Sequence, residues 1–600
     1  MKLNDIVKQI LVNDIDDNSY SDFYIKQDNA KYTFSEDEEP NSRLIQTLLW
    51  PMTSFHIVCY IFDTNDSYQG IVASLGQKTW SKKDRVEAQE VGNEWAKYLA
   101  KSPISNQPIP SGLHDIFFEV FKERRPVGTE MQLSKLLSDE DFMINALKLL
   151  IASDQCAKKI EYQLSRTKNP NLVSHYMKRI STINGIKSLS EGLDTYGSVH
   201  IKTMTPQSGI SLNSLCHSIA YVKPGIDCFT LKGRTSKKDD DLYHVLVLPW
   251  PLNIERDFFS VDTNPPLEMD HNSFGFFSYS NKEKISTNMI LYAIQEAEKE
   301  VGFPDLVVIP ECAIAKDESN LLAQELMDHF SSKSIQPPLF IYGAYEHSQV
   351  GKYGKNYLEF LYHDDFDNRF TRVEQPKHHR WALDKNQIIS YRLGTKLTPR
   401  KKWWENCEIN SRKMISYFDD NTHICPLICE DLARQDPVAP VVRALGPSLV
   451  VALLLDGPQI KGRWPEKYAG VLAEDPGSSV LSVSPYGMTQ RSTGLGYPPS
   501  SSVALWSDGE TTVNLDLAEN KVGISLALAK HPIEQWAADG RKQVKSSLKY
   551  AGHISVGLKI DLDKVRTKVI PPKKAPVSST TKISDKTILR KTMEILNTVT

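Results

Sequence analysis

Short apolar runs alternate with amphipathic helical patterns through the second half of the chain. The runs YHVLVLPW (243–250), DLVVIP (305–310) and PLFIYGAY (338–345) are rich in β-branched and aromatic residues and predict buried strands. Helical patterns lie between them, over 287–300 and 319–333. Strands that are apolar on both faces and alternate with helices are typical of an α/β architecture.

The same alternation continues toward the C-terminus. Further apolar runs predict strands at 423–429, 447–455, 478–485 and 501–507. The dipeptide Asp508-Gly509 favours a tight turn, so SSVALWS (501–507) and KVGISLAL (521–528) are predicted to form a hairpin. The pattern therefore predicts one α/β domain over 240–560.

Weaker signals mark the first part of the chain. The runs FHIVCYIF (55–62) and GIVASLG (70–76) lie between polar turns and predict strands. Residues 82–101 predict an exposed amphipathic helix. A second helix is predicted after Ser138, its expected N-cap, as far as about residue 166. This mixture favours a mixed α/β or mainly helical N-terminal domain.

Shifts in composition then divide the chain. We expect an N-terminal domain of unknown function, an α/β domain, and a basic linker with a short C-terminal helix, at 1–235, 240–560 and 561–600. The N-terminal domain is either one unit or two modules, 1–130 and 131–235. It carries no motif with chemical content.

Composition and charge exclude several classes of protein. The 600 residues are 40% hydrophobic and 24% charged, as in ordinary globular proteins, and the net charge of −3 provides no global attraction for nucleic acid. The sequence contains no run of 18 apolar residues and therefore predicts no membrane-spanning helix. The N-terminal residues make a poor signal peptide, and the 8 cysteines form no CxxC pair. We therefore expect reduced thiols, no zinc site and a cytoplasmic protein.

Three residues with chemical potential stand at the ends of predicted strands. Cys429 lies at a strand-to-helix turn, where the positive end of a helix is expected to lower a thiol pKa. Glu311 follows a buried strand, so partial desolvation would suit it to act as a general base. Lys377 could stabilise an oxyanion and a thiolate. Taken singly, each also has a structural interpretation: a buried cysteine, a surface glutamate and an exposed lysine.

Together, the contexts Pro310-Glu311, Lys377-His378 and Cys429-Glu430-Asp431 resemble those of the nitrilase or carbon–nitrogen hydrolase superfamily. The resemblance covers about 240–560 and implies an α-β-β-α sandwich. It also implies a hydrolase that cleaves a small-molecule amide or nitrile through an acyl-enzyme, without metal or cofactor. Glu311 would be the base, Cys429 the nucleophile, and Lys377 with the backbone N–H of Glu430 the oxyanion hole. Family members commonly form homo-oligomers.

A second glutamate is expected between the lysine and the cysteine. Glu405 is the first candidate, with Glu374 and Glu408 as alternatives. The same insert is cationic and aromatic, which predicts either a specialised pocket rim or a solvated loop; its residues include Arg392, Arg400, Lys401, Lys402, Trp403 and Trp404.

A finer resemblance leads to a rival hypothesis. The segments 205–222, 246–254, KHHRW (377–381) and WWE (403–405) are similar to nitrilase-like domains associated with reverse transcriptases in bacterial antiphage defence. That branch implies a scaffold, or a partner of nucleic acid or of a reverse transcriptase. The stretch LYHDDFD (361–367) itself contains the Tyr-x-Asp-Asp pattern of polymerases, but it lies where the sandwich needs a strand pair.

Overall fold

The first part of the chain is helical. A computed structural model describes residues 40–558 apart from 74–78, 102–107, 123–132, 162–170, 181–185, 234–240, 264–266, 268–269, 334, 350–351, 365–368 and 420–421. The N-terminal helices are α1 (Pro40–Leu49), α2 (Pro51–Asp63), α3 (Ser67–Ala73), α4 (Lys82–Leu99), α5 (Ser111–Phe121), α6 (Leu133–Leu136), α7 (Glu140–Glu161) and α8 (Leu172–Ile180). A two-stranded antiparallel ribbon follows, β1 (Ser198–Ile201) with β2 (Ile219–Val222).

The strands predicted at 55–62 and 70–76 are wrong, because 55–62 lies in α2 and 70–73 lies in α3; residues 74–76 lie outside the described part of the chain. Almost every side chain of α2 is buried, so the run shows no helical period that could distinguish it from a buried strand. Pro51 at the first turn of α2 favours a helix start. The predicted helix at 82–101 is confirmed as α4.

The predicted cap of α7 is off by one residue. Asp139, and not Ser138, accepts hydrogen bonds from the backbone N–H groups of Asp141 (3.0 Å) and Phe142 (3.3 Å). The helix reaches Glu161, and residues 162–166 of the prediction lie outside the described part of the chain.

Two seven-stranded sheets form the sandwich. The first, sheet I, has the order β10 (Arg369–Pro376), β9 (Lys355–Asp364), β8 (Leu339–Glu346), β7 (Leu306–Ala315), β4 (Leu242–Val247), β19 (Gly523–Trp536), β20 (Lys542–Val556). The second, sheet II, has the order β18 (Thr512–Asp516), β17 (Ser502–Ser507), β16 (Ser479–Val483), β15 (Leu449–Leu453), β14 (Thr422–Ile428), β13 (Lys413–Asp419), β3 (Asp227–Lys232).

The strands at the centre of each sheet are parallel. In sheet I, β4 pairs with β7 and β7 with β8; in sheet II, β14 pairs with β15 and β15 with β16. Apolar side chains from both sheets form one core, including Val245, Val308 and Ile341 from sheet I and Ile424 and Val451 from sheet II.

Helices cover the sandwich on both sides. On sheet I lie α9 (Thr287–Glu300) and α10 (Lys316–Lys333), and α13 (Trp464–Glu474) packs on β16 and β17 of sheet II. The expected α-β-β-α sandwich and the helical N-terminal part are therefore confirmed. The division into domains stays a prediction, and the expected tail at 561–600 lies outside the described residues.

Smaller elements stand at one end of the sandwich. A four-stranded sheet has the order β11 (Ala382–Leu383), β12 (Lys402–Glu405), β6 (Phe274–Tyr279), β5 (Phe259–Asp262). The remaining helices are α11 (Lys385–Ser390), α12 (Val438–Leu445) and α14 (Tyr486–Arg491), with short 3-10 helices at Asp194–Tyr196, Arg256–Phe258 and Cys429–Ala433.

The hairpin after β17 forms with a different partner from the predicted one. β17 pairs across Asp508-Gly509 with β18, while residues 523–528 belong to β19 in the other sheet. Five residues, 512–516, suffice to complete the hairpin, which leaves the more apolar run free to pair with β4 in the buried middle of sheet I. Residues 362–364 of the Tyr-x-Asp-Asp segment end β9, which pairs with β10 as the sandwich requires, and Asp365 lies outside the described residues.

The β19–β20 hairpin extends past β4 and contacts the N-terminal part of the chain. Trp80 Nε1 donates to Asp539 Oδ2 (3.0 Å), and the backbone N–H of Thr205 donates to Gln535 Oε1 (2.7 Å). Arg541, only 6% exposed, donates to Asp539 and to the carbonyl of Leu215. The hairpin therefore joins the helical part to the sandwich by buried polar contacts.

Asp154 of α7 is the acidic centre of this junction. Its carboxylate, 1% exposed, accepts from the backbone N–H groups of His217 (2.9 Å), Ser218 (2.7 Å) and Ile219 (3.1 Å). Arg541 lies 3.8 Å away. Without the carboxylate, the three backbone N–H groups would be left buried and unsatisfied, and Arg541 would keep only Asp539 as an acidic partner.

Replacing Asp154 by alanine should lower the free energy of unfolding by about 3–5 kcal/mol, because it leaves three buried N–H donors unpaired and removes one of the two carboxylates beside the buried Arg541. The measurement is urea unfolding followed by tryptophan fluorescence. Asp115→Ala is the matched control, since that side chain is 80% exposed. Equal midpoints for the two variants would contradict this account of the junction.

Candidate active site

The residues predicted from the sequence meet where the strands of both sheets end. Glu311 lies within β7 at an irregularity in its pairing with β8, Lys377 directly follows β10, and Cys429 directly follows β14. Carboxyl ends of parallel strands share one edge of a sheet, where open α/β folds bind their ligands. The topology therefore brings these three positions together.

A buried lysine links two glutamates. Lys377 Nζ lies 2.7 Å from Glu311 Oε1 and 2.6 Å from Glu405 Oε2. Asn356 Nδ2 donates to the same pair, at 2.8 Å to Glu311 Oε1 and 2.6 Å to Glu405 Oε1. Glu405 also accepts from the backbone N–H of Trp381 (3.0 Å). Of the three candidates for a second glutamate, the structure thus places Glu405 at the lysine.

The other two candidates lie elsewhere. Glu374 is exposed on β10, and Glu408 is only partly buried beyond the end of β12. Neither is a partner of Lys377 in the ion pairs among the described residues.

One oxygen of Glu311 remains available. Its Oε1 is occupied by Lys377 and Asn356, whereas its Oε2 is buried and has no hydrogen-bond partner among the described residues. Burial raises the pKa of Glu311, and the charge of Glu405 adds to this against the opposing effect of Lys377. A buried carboxylate with one free oxygen and a raised pKa suits a proton acceptor.

Cys429 adopts a backbone conformation that is rare outside glycine. Its φ of 46° lies in the left-handed region, which costs a non-glycine residue of order 1–3 kcal/mol in strained settings. The residue is 1% exposed, at the start of the 3-10 helix that also contains Glu430. Such outliers concentrate at functional sites, because the turn aims the side chain out of the sheet.

The expected low pKa of the Cys429 thiol is wrong. Burial raises the pKa well above its ordinary value, the charge of Glu311 raises it further, and Lys377 opposes both. The thiol is therefore protonated at rest, and its proton must leave for the sulfur to attack. The electrostatic influence of Glu311 and Lys377 on this thiol also places all three groups in one site.

Asp431 belongs to the motif Cys429-Glu430-Asp431, but the sequence predicted no role for it. It is fully buried and accepts from His378 N (3.2 Å), with His378 Nδ1 at 3.1 Å and His379 Nδ1 at 2.9 Å. Burial would raise its pKa, but the two histidines outweigh burial and hold the pKa below the ordinary value. Asp431 thereby fixes the segment after Lys377 against the segment after Cys429.

Gln375 makes a second connection between the sheets. Its Nε2 donates to the carbonyl of Pro426 (3.1 Å), and its Oε1 accepts from the N–H of Ile415 (2.7 Å). Because Gln375 lies two residues before Lys377, and Pro426 three before Cys429, this amide fixes the position of the lysine relative to the cysteine. The signal in the sequence is weak: one amide side chain inside a strand.

Gly343 of β8 allows the backbone of Glu311 to lie close to β8. A Cβ at this position would lie 2.4 Å from the Cα of Glu311, closer than atoms can pack. The sequence did not identify Asn356 as a site residue either. Its one visible signal is a polar side chain near the start of an apolar strand.

A metal ion is disfavoured by charge. Glu311, Cys312 and Glu405 carry ligand atoms within 4.8 Å of one another, a grouping able to hold a cation. The ammonium of Lys377 already lies between the two carboxylates, so an added cation would meet a positive charge. The two carboxylates are therefore better suited to the lysine ammonium than to a metal ion.

The cationic insert contributes to the small sheet. Trp403 is buried against Gly275, and Lys402 lies over the ring of Trp404 (4.9 Å), while Arg392 and Arg400 are exposed. Contact with nucleic acid or with a partner stays a prediction. All 8 cysteines are free and buried, and none of the described helices is long and apolar enough to span a membrane.

Comparison with known proteins adds structural neighbours. No family model and no curated protein matches the chain. Among solved structures, the chain is similar to an amidase from Nesterenkonia sp. (TM-score 0.25, 10% identity, 51% of this chain, 91% of that one). The neighbours are nitrilase-superfamily amidases and a NitFhit protein.

Two further solved structures are similar to the chain. One is a variant of the Nesterenkonia sp. AN1 amidase with the acetamide moiety of fluoroacetamide added at its active-site cysteine (TM-score 0.25, 8% identity, 56% of this chain, 100% of that one). The other is the C. elegans NitFhit protein (TM-score 0.28, 12% identity, 49% of this chain, 62% of that one). The roles of individual residues therefore depend on the geometry of this chain.

Asp431→Asn should destabilise the protein by about 2–3 kcal/mol near pH 7, because a buried charge-assisted pair is lost. The folded pKa of Asp431 is depressed, so its stabilisation is present above the ordinary aspartate pKa of about 4 and is lost as pH falls through the folded pKa. Urea unfolding of both proteins from pH 7 to pH 3 measures the difference. Asp317→Asn, at an exposed position, is the control. A difference that does not shrink in acid would refute this role.

Proposed function

We propose that the protein hydrolyses a carbon–nitrogen bond of a small amide or nitrile through a thioester acyl-enzyme on Cys429. One observation carries the proposal: the buried carboxylate of Glu311 has one oxygen fixed by Lys377 and Asn356 and the other free to receive a proton. Burial keeps the Cys429 thiol protonated before the reaction, which fits a scheme in which Glu311 receives the thiol proton.

For an amide, the steps use these groups in turn. Glu311 Oε2 takes the thiol proton as the sulfur attacks the carbonyl carbon, and Lys377 and the backbone N–H of Glu430 stabilise the developing oxyanion. Glu311 then protonates the leaving amine. Water attacks the thioester with Glu311 as base, and the acid product and the free thiol are released.

Glu405 keeps the lysine charged. Burial would lower the pKa of Lys377, but Glu311 and Glu405 outweigh burial and raise it well above its ordinary value. With two carboxylates and one ammonium, the cluster can pass a proton to and from Glu311 while the lysine stays cationic. Glu405 is thus a positioning residue in this proposal.

The rival hypothesis, a scaffold or a defence-associated partner without catalysis, stays a prediction. The presence of Glu311, Lys377 and Cys429 in one buried cluster favours an enzyme, because a scaffold needs no buried ion pair at its strand ends. Cytoplasmic localisation, a homo-oligomer and a nucleic-acid or reverse-transcriptase partner likewise stay predictions.

Fluoroacetamide should modify Cys429, and intact-mass spectrometry should detect one adduct. Cys429→Ala should abolish it, and Glu311→Gln should slow it by about 10²–10⁴-fold, the usual contribution of a general base. Cys425→Ala is the matched control: this buried thiol lies four residues earlier, on β14, with burial raising its pKa to about 12. Labelling that survives Cys429→Ala would refute the proposal.

The labelling rate should also depend on pH. Glu311 acts in its ionised form, and its pKa is raised above 4.5 by burial, so the rate should rise with pH through a midpoint above 4.5. Rates measured from pH 4 to pH 8 define this limb, and Glu311→Gln should remove it. A wild-type profile that is flat across this range would contradict the assignment of the base.

A further inference from the structure

A cleft adjoins the buried cluster on the side of Glu405 and Asn356. Aromatic and apolar side chains form much of its wall, from Phe277, Tyr279, Tyr345, Trp381 and Leu455. Its polar lining includes Asn356, Asn406 and Ser348. A cleft that combines apolar walls with placed polar groups is the usual form of a small-molecule site.

The amide of Asn356 has a fixed orientation. Its nitrogen donates to carboxylate oxygens of Glu311 and Glu405, which can only accept, so the carbonyl oxygen Oδ1 must face the other way. The residue is 3% exposed, and Oδ1 has no hydrogen-bond partner among the described residues.

Asn406 repeats this arrangement across the cleft. Its Nδ2 donates to the carboxylate of Asp262, which again assigns Oδ1 as a free acceptor. The residue is 5% exposed, and its Oδ1 also has no partner in the described part of the chain. The hydroxyl of Tyr279, on a side chain packed against Phe258 and Phe259, is a third buried polar atom without a described partner.

The charged groups near the cleft are already paired. Glu405 is bound by Lys377, Asn356 and the N–H of Trp381, and Glu346 pairs with Lys316 (2.8 Å) and Lys355 (3.5 Å). Among the described residues that line the cleft, the buried polar atoms without a partner are neutral: two amide oxygens, the phenol of Tyr279 and the hydroxyl of Ser278. Leaving such acceptors buried and unbound costs about 1–3 kcal/mol each, so a ligand that donates to them is favoured.

We propose that this cleft recognises a neutral, N–H-donating end group of the substrate, a terminal carboxamide, through Asn356 Oδ1, Asn406 Oδ1 and Tyr279. The proposal rests on the hydrolase function proposed above and names its substrate class: small amides whose non-reacting end carries a second carboxamide. A site built to accept hydrogen bonds from a substrate rejects the analogue that lacks the donor, because its own groups then stay unpaired.

The test uses two bromomethyl ketones that differ only at the far end. The first, 5-bromo-4-oxopentanamide, ends in a carboxamide; the second, 1-bromohexane-2,5-dione, carries a methyl group in place of the NH₂. The sulfur of Cys429 displaces bromide from either reagent, and the proton goes to Glu311. Intact-mass spectrometry gives the two rates, and we expect the carboxamide to react about tenfold faster or more, each hydrogen bond being worth up to about 1.5 kcal/mol.

Variants identify the residues that cause the difference between the two labelling rates. Tyr279→Phe and Asn406→Leu should each reduce the ratio of the two rates to threefold or less. Ser348→Ala is the matched control: this residue lines the same cleft, but its hydroxyl already donates to Asp262 (2.9 Å), so the ratio should be kept. Equal rates for the two reagents in the wild type would overturn the proposal.

A second measurement separates the two proposals. If neither reagent labels Cys429 faster in the wild type than in Glu311→Gln, the hydrolase function fails. Binding to Cys429→Ala, measured by saturation-transfer NMR, then decides the recognition itself. Succinamide should bind more tightly than hexane-2,5-dione, which has the same chain length but no N–H donor. Equal binding of the two would overturn the assignment of a neutral carboxamide.

Discussion

The ammonium of Lys377 between two buried carboxylates is the constraint on which the site depends. Two carboxylates a few ångströms apart and shielded from water would repel each other and take up protons. The lysine allows both to stay near each other, and Asn356 joins them from another strand. Removing one member of such a cluster costs about 3–5 kcal/mol, because the others remain buried and uncompensated. The cluster is thus a structural element and, in the proposed function, the chemical centre.

This constraint explains the polar contacts around it. Gln375 holds β10 against two strands of sheet II, and Asp431 holds the two histidines that follow the lysine. These contacts are buried or partly buried, and they join the segments next to Lys377 to β13 and to the residues on either side of Cys429. The strained backbone of Cys429 can persist because these neighbours fix both sides of the turn.

The N-terminal helices are joined to the sandwich in a similar way. Their contact with the β19–β20 hairpin centres on Asp154, Arg541 and Asp539, all nearly excluded from water. Polar junctions of this kind need correct geometry on both sides, so they favour a single arrangement of the two parts over many loosely packed ones. The active-site edge of the sandwich and this junction use different residues, and the catalytic proposal does not require the helices.

The pattern of the sequence by itself determined the α/β architecture, because strands buried on both faces leave long β-branched runs between helices; the sandwich was implied by the resemblance carried by Glu311, Lys377 and Cys429. The order of Glu311, Lys377 and Cys429 at strand ends was visible for the same reason. Local pattern failed where burial is complete: the apolar run at 55–62 looks alike as a helix or a strand, and the partner of β17 depends on which strand fills the middle of sheet I. Only the tertiary structure placed Glu405, and not Glu374, beside the lysine, and only it showed Asn356, Gln375 and Asp431 at the site. It also reversed the expected pKa of the thiol, since a helix end acts through nearby dipoles, whereas burial and the charge of Glu311 depend on residues far away in the chain.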